Sequence, residues 1–249
     1  MIHLLFIVLG LTFGSFLNVL IYRLPLNKTF IFSRSMCPNC KNFIPLYRNI
    51  PIFTFLFQLG KCHHCYQKIS VHYIFVEFLC GFLWYWAYTQ YNFNEALLFI
   101  VMTHILIVIS FIDYQKMEIE PKLILVSILI LVLHGTLVTG EIKNMLLGSL
   151  VGFSYLGLIF FITSIIFQKE TMGLGDLQLI TILGGWVGAG NILVSIFLAS
   201  ILGIVTWAIL NKIYGYEINR HIPFAPQLCL SATVIYMLEI DIFNYFIGF

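Results

Sequence analysis

The chain has 249 residues, of which 60% are hydrophobic and 10% charged, and its mean hydropathy is +0.97. Soluble domains carry about 25% charged residues, and the apolar runs here are long enough to cross about 30 Å of hydrocarbon, so a soluble globular domain is excluded. A net charge of +2 gives no reason to expect nucleic acid as a partner. The composition is that of an all-α polytopic membrane protein, with membrane lipid as its surroundings.

Apolar segments fall at 2–22, 71–89, 96–112, 122–139, 145–167, 177–189, 191–211 and 224–248, which predicts about eight transmembrane helices. The first lacks a basic n-region and a small-residue cleavage site before Arg23, so it reads as a retained span rather than a signal peptide. The sixth is short and holds Gly184, Gly185 and Gly188; it is either a half-span or a segment packed closely through small residues. Eight spans put both termini on one side. Arg23, Lys28, Arg34, Lys41, Arg48, Lys61 and Lys68 lie in the first loop, and Lys116, Lys122, Lys169, Lys212 and Arg220 in or beside other loops of the same face. Only Lys143 falls opposite, so that face is expected to be cytosolic and the termini outside.

The predicted domains are a first helix (1–22), a cytosolic loop (23–70) and a seven-helix membrane core (71–249). A loop of this size is too small to be held by a hydrophobic core alone. It carries Cys37-Pro-Asn-Cys40 and Cys62-His-His-Cys65, two C-x2-C pairs separated by 21 residues. Each pair grips a metal from a tight turn, and four thiolates give the tetrahedral set that structural zinc prefers. Paired disulfides are the rival reading, discounted on a reducing cytosolic face. His63 and His64 read as solvated loop residues, and Cys80 and Cys229, inside apolar runs, as small core residues.

In the core, Ile112-Asp113 closes the third span, and Thr171-Met172-Gly173-Leu174-Gly175-Asp176 opens the sixth. The topology brings Asp113 and Asp176 to the cytosolic membrane edge. Two carboxyls held together cannot both ionise cheaply, so one keeps its proton. One then acts on a water as base and the other donates to a carbonyl oxygen, as in aspartic proteases. Gly173 and Gly175 leave the backbone bare beside the acid and free to take unusual φ/ψ, which suits the close approach of another chain. The competing reading of the hexapeptide is a glycine turn with a solvated Asp. No H-E-x-x-H is present. His104 and His134, isolated in apolar spans, read as core histidines. Glu77 lies in the second span and is a functional candidate as an intramembrane acid; pairing with an Arg or His is an equal alternative. Glu118, Glu120 and Glu170 flank the two Asp and read as loop charge, with attraction of a basic segment as the alternative. Glu239 and Asp241 are expected near the outer interface.

These residues resemble the bacterial type IV prepilin peptidases (leader peptidases) of the GxGD membrane aspartic proteases. The resemblance runs in order through Gly14-Ser15-Phe16-Leu17-Asn18-Val19, Tyr22-Arg23-Leu24-Pro25, both C-x2-C pairs, Asn49-Ile50-Pro51, Ile69-Ser70, Val76-Glu77, Asp113, Gly173-Leu174-Gly175-Asp176 and Ile222-Pro223-Phe224-Ala225-Pro226. It implies a location in the bacterial inner membrane and catalysis by Asp113 and Asp176. It implies prepilin and pseudopilin substrates of pili and type II secretion, whose basic leader is cut after a glycine. Many members also methylate the new N-terminal amine with S-adenosylmethionine, and Glu77 is the candidate for that step. The sequence departs from the family pattern at Ile119-Glu120-Pro121-Lys122, at Gln178 and at Ala225. A non-catalytic adaptor docking a secretion component through the zinc loop, and a transporter, are the other classes. Two acids at one edge with no pair near the midplane argue against the transporter.

Overall fold

The computed structural model describes residues 2–29, 35–45, 50–168, 173–217 and 221–238. Arg34, Arg48, Asn49, Lys169, Glu170, Thr171, Met172, Arg220, Glu239 and Asp241 lie outside the described residues. Among those described the structure is all-helical: α1 Ile2–Arg23, α2 Phe53–Phe57, α3 His72–Gln90, α4 Phe93–Lys116, α5 Pro121–His134, α6 Ile142–Phe167, α7 Leu174–Val187, α8 Ala189–Tyr214 and α9 Ala225–Leu238. Its extended pairing is limited to two isolated bridges, Met36 with Phe43 and Lys61 with Lys68. Each expected apolar segment is helical along most of its described length, with Val71, Gly188 and Phe224 lying outside the helices.

Five segments are long and apolar enough to cross a membrane: Ile2–Leu26, Phe93–Lys116, Pro121–Thr139, Ile142–Phe167 and Ala189–Tyr214. α7 and α9 are apolar but shorter, with 14 residues each described, or about 21 Å of helix. Local signals set the ends. Arg23 and Lys116 sit in the last turns of α1 and α4, where the helix dipole favours a cation. Pro121 opens α5, where its missing N–H costs nothing. Gly188, at φ 89, turns the chain from α7 into α8 in a conformation that a Cβ would oppose.

The chain divides into two compact units, Met1–His104 and Ile105–Phe249, the division falling within α4. In the first unit α1 lies along α3 through glycines. A Cβ on Gly10 would come within 2.6 Å of the Cys80 carbonyl oxygen, and one on Gly14 within 2.7 Å of the Glu77 Cα. Trp84 stacks on Phe13, with centroids 5.0 Å apart, and its indole N–H donates to His104 Nε2 at 3.1 Å. In the second unit α6 and α7 touch backbone to backbone at Gly148 and Gly184, where an added methyl would overlap the opposite main chain. Leu179, Ile180, Leu183, Ile192 and Leu228 are fully buried in this unit. Hence α7, the short segment at 177–189, is packed closely through small residues.

Candidate active site

Asp113 lies in the last turn of α4 and is only 6% exposed. The helix places it there because the apolar run carries on to Ile112, whose side chain is fully buried. The buried main-chain N–H of Ala225, the first residue of α9, donates to Asp113 Oδ2 at 3.2 Å. Asp176 is the third residue of α7, in the turn where the helix dipole favours a carboxylate. It sits outside the five long spans, and the N–H of Gly173 donates to it. Burial first, and then the negative charge of Asp113, push the Asp176 carboxyl up to about 6, against the opposing effect of that N–H. Both aspartates line one cleft of about 340 Å³, walled by Met117, Glu118, Ile119 and Glu120 on one side and by Gly173 and Gly175 on the other. One of two interacting carboxyls retains a proton under such conditions. Two carboxyls that interact on one cleft are able to divide the roles of base and acid between them.

The two glycines serve the cleft by their size and not by unusual dihedrals. Gly173 has an ordinary extended conformation, φ −74 and ψ 143, and Gly175 is helical. A Cβ on Gly175 would lie 3.0 Å from the Ile119 Cβ, so the absence of a side chain lets the Met117–Glu120 loop rest on the start of α7. Met117, at φ 57, ends α4 with its N–H bonded to the Asp113 carbonyl, and this turns the loop toward Gly175.

The four cysteines of the loop converge. Their sulfurs all lie within 4.8 Å of one another, with Cys37–Cys65 at 3.9 Å and Cys40–Cys62 at 4.0 Å. Disulfide sulfurs stand about 2.0 Å apart, and all four cysteines are free. A tetrahedron with Zn–S near 2.3 Å has sulfur–sulfur edges of about 3.8 Å, so the cluster has the size of a zinc site. The two knuckles repeat one fold. The N–H of Cys37 bonds the Asn42 carbonyl and that of Lys41 returns to Cys37; Cys62 pairs with Gln67 and Tyr66 with Cys62 in the same way. Lys41 and Tyr66, each following the second cysteine, are both left-handed, at φ 60 and 56. The N–H of Gln67 and then the amide of Asn39 draw the Cys65 thiol down to about 6, which favours the ligating thiolate.

Two family models match: the Bacterial Peptidase A24 N-terminal domain over residues 8–91 and the Type IV leader peptidase family over residues 100–208. Among curated relatives, a prepilin leader peptidase/N-methyltransferase of Neisseria gonorrhoeae is 33% identical, over 92% of this chain and 88% of its own length. Relatives of the same name from Legionella pneumophila and Vibrio cholerae are each 30% identical. They cover 96% and 93% of this chain, and 92% and 95% of their own lengths. The chain belongs to the type IV leader peptidase family. No solved structure matches it.

Within this leader peptidase the other sequence candidates fall as follows. Glu77 is buried on α3, where it accepts the N–H of Ile52 at 2.8 Å and the hydroxyl of Ser15. Among the described residues its partners are thus a loop amide and a hydroxyl, and not the Arg or His of the sequence alternative. His104 and His134 are buried and hydrogen-bonded, the latter to the Tyr236 hydroxyl at 2.8 Å. Cys80 and Cys229 are buried core residues. Glu118 and Glu120 line the cleft of the two aspartates. Two features escaped sequence reasoning. One is the Ala225 amide, which has no side-chain chemistry to betray it, although the motif around Pro223 and Pro226 marks the place. The other is a cavity of about 760 Å³ in the first unit, bounded by the knuckles and by Asn18, Tyr22 and Glu77, whose walls come from segments far apart in sequence.

Proposed function

We propose that the chain is a membrane aspartic endopeptidase that removes the short basic leader of type IV prepilins or pseudopilins after a glycine, with Asp113 and Asp176 as its catalytic pair. The observation that supports this reading is the meeting of two carboxylates on a single cleft, Asp113 buried at the end of α4 and Asp176 half-buried at the start of α7. The ionised carboxylate takes a proton from water, whose oxygen attacks the scissile carbonyl carbon. The protonated carboxyl donates to the carbonyl oxygen. Collapse of the tetrahedral adduct breaks the C–N bond, and the amine leaves with the proton held by the base. Gly173 and Gly175 position the substrate main chain, and Glu118 and Glu120 draw in the basic leader, an attraction screened beyond about 10 Å at 0.1 M salt. The setting is the bacterial inner membrane with eight spans, termini outside and the cleft cytosolic. Residues 1–22 form the first span, 23–70 the zinc loop and 71–249 the peptidase core, with Cys37, Cys40, Cys62 and Cys65 holding one structural zinc.

A second step, methylation of the new N-terminal amine, belongs to the first unit. Its 760 Å³ cavity falls within the range of about 300–1,000 Å³ typical of cofactor pockets. Asn18 offers it a buried Oδ1 with no partner among the described residues. S-adenosylmethionine supplies the electrophilic methyl when bound; Asn18 and Glu77 are the polar groups that would hold and orient it. No observation favours a non-catalytic adaptor. Mass spectrometry of a co-expressed prepilin tests both steps: loss of the leader reports cleavage, and a gain of about 14 Da reports methylation. An uncleaved prepilin in the presence of folded enzyme overturns the peptidase reading.

A further inference from the structure

The first unit holds a helix that is built inside out. Along α2 and the turn after it, Phe53, Leu56, Phe57 and Leu59 are 59%, 59%, 85% and 84% exposed. The polar residues of the same segment, Thr54 and Gln58, are half-buried and line the cavity. Phe55 alone turns inward, its ring filling the place of a Cβ on Gly60. A surface segment in water shows the opposite pattern, and contiguous exposed aromatic and leucine side chains mark a contact with something apolar.

The depth of the segment identifies the contact. The N–H of Ile52, immediately before α2, is bonded to Glu77, whose carboxylate also takes the hydroxyl of Ser15. Ser15 lies eight residues before the end of α1 at Arg23, or about 12 Å back along the helix. Glu77 lies five residues into α3, about 7 Å from its start. The entry to α2 is therefore level with the body of a membrane-length helix and not with its tip. Ile52 is also β-branched at φ 61 and ψ −53, a conformation such residues avoid, and the Glu77 bond holds it there. Just past the apolar face, the exposed Lys61 and Lys68 stand opposite each other in a bridge, a cationic pair suited to anionic headgroups.

We infer that Ile50–Leu59 is a membrane hook: its outer face lies in the headgroup–acyl boundary of an anionic leaflet, and Glu77 sets its depth. The inference rests on the reading that this chain spans a bilayer, and the test separates the two. p-Benzoylphenylalanine is placed singly at Phe57, at Leu59, at the exposed knuckle residue Asn39 and at Phe161 on α6, in full-length protein in phosphatidylglycerol nanodiscs. Zinc content at the parental level verifies the fold of the first unit in each variant, and leader cleavage verifies that of the second. Irradiation should give lipid adducts by mass spectrometry at 57, 59 and 161, with only background at 39. Labelling at 161 but only background at 57 and 59, or crosslinks from 57 and 59 to polypeptide instead of lipid, overturns the hook. Failure at 161 as well removes the membrane reading and the hook together. In the Lys61→Glu/Lys68→Glu background, lipid labelling at 57 and 59 should fall toward that at 39 while labelling at 161 stays; unchanged labelling at all three overturns the electrostatic part of the inference.

Discussion

The two units hold their chemistry by different means. In the first, four cysteines and the acceptor Glu77 tie a loop of little apolar core onto a pair of helices. In the second, two carboxylates are held by packed helices, a backbone contact between glycines and one main-chain amide. With the proposed zinc in place, the first would depend on bonds that a change of pH or a chelator can remove. The second depends on shape. Loss of ligands and loss of fit should consequently damage different activities.

The largest effect should come from the carboxylates. Asp113→Asn or Asp176→Asn should each lower leader cleavage by about 10²–10⁴-fold, the usual contribution of general acid–base groups. The zinc content of the purified protein should not change. A variant cleaving at the parental rate in detergent would remove that residue from the dyad.

Next comes the metal. Structural zinc contributes about 10–16 kcal/mol in small peptides, so Cys62→Ser/Cys65→Ser should lose bound zinc and open residues 23–70 to limited proteolysis. Methylation should disappear while cleavage by the second unit persists. Equal loss of both activities would break the contrast between the units.

A smaller and more specific effect is expected at the glycine. Gly175→Ala places a methyl against Ile119, at 3.0 Å from its Cβ. Displacement of a reacting group by about 1 Å can cost about 100-fold, so kcat should fall by up to that factor. Ile119→Ala in the same chain should restore much of it; failure to rescue would mean that Gly175 acts through something other than this contact.

The mildest test is pH. The Asp176 carboxyl is raised to about 6 by burial and by Asp113, so its proton is present below that value and lost as pH rises through it. If Asp176 is the donor, cleavage should decline across that point. The sign for stability is the same: a raised carboxyl favours the folded state most at low pH, and this contribution fades between the ordinary aspartate value and about 6. A flat rate profile one unit either side of 6 would transfer the donor role to Asp113.

Much of this was legible in the residues. Composition and apolar run length specify an all-helical chain, because main-chain groups in hydrocarbon must bond within their own segment. The two C-x2-C pairs specify a four-cysteine cluster able to hold a metal. The acids stood out because carboxylates are costly beside apolar runs. What stayed hidden depends on atoms that carry no residue signature. The Asp113 partner is an amide, and any residue but proline at 225 could supply it. The purpose of Gly175 is the volume of Ile119 across a gap in sequence, and the inward Thr54 and Gln58 follow from a depth that Glu77 imposes. The short sixth segment, by contrast, was legible from its apolar run and its glycines, and the contacts of α7 with Gly148 and Gly152 are those of close packing through small residues.

The bare meeting of Gly148 with Gly184 has a mechanical consequence. Main chain against main chain leaves no compressible side chain between α6 and α7, and a Cβ on Gly152 would stand only 2.8 Å from the Ile180 carbonyl oxygen. The wall carrying Asp176 is accordingly the stiff jaw of the cleft. Opposite it the Met117–Glu120 turn leans on Gly175 through the Ile119 side chain, so a peptide entering the cleft as proposed would be accommodated at that jaw, by as much as one isoleucine can retreat.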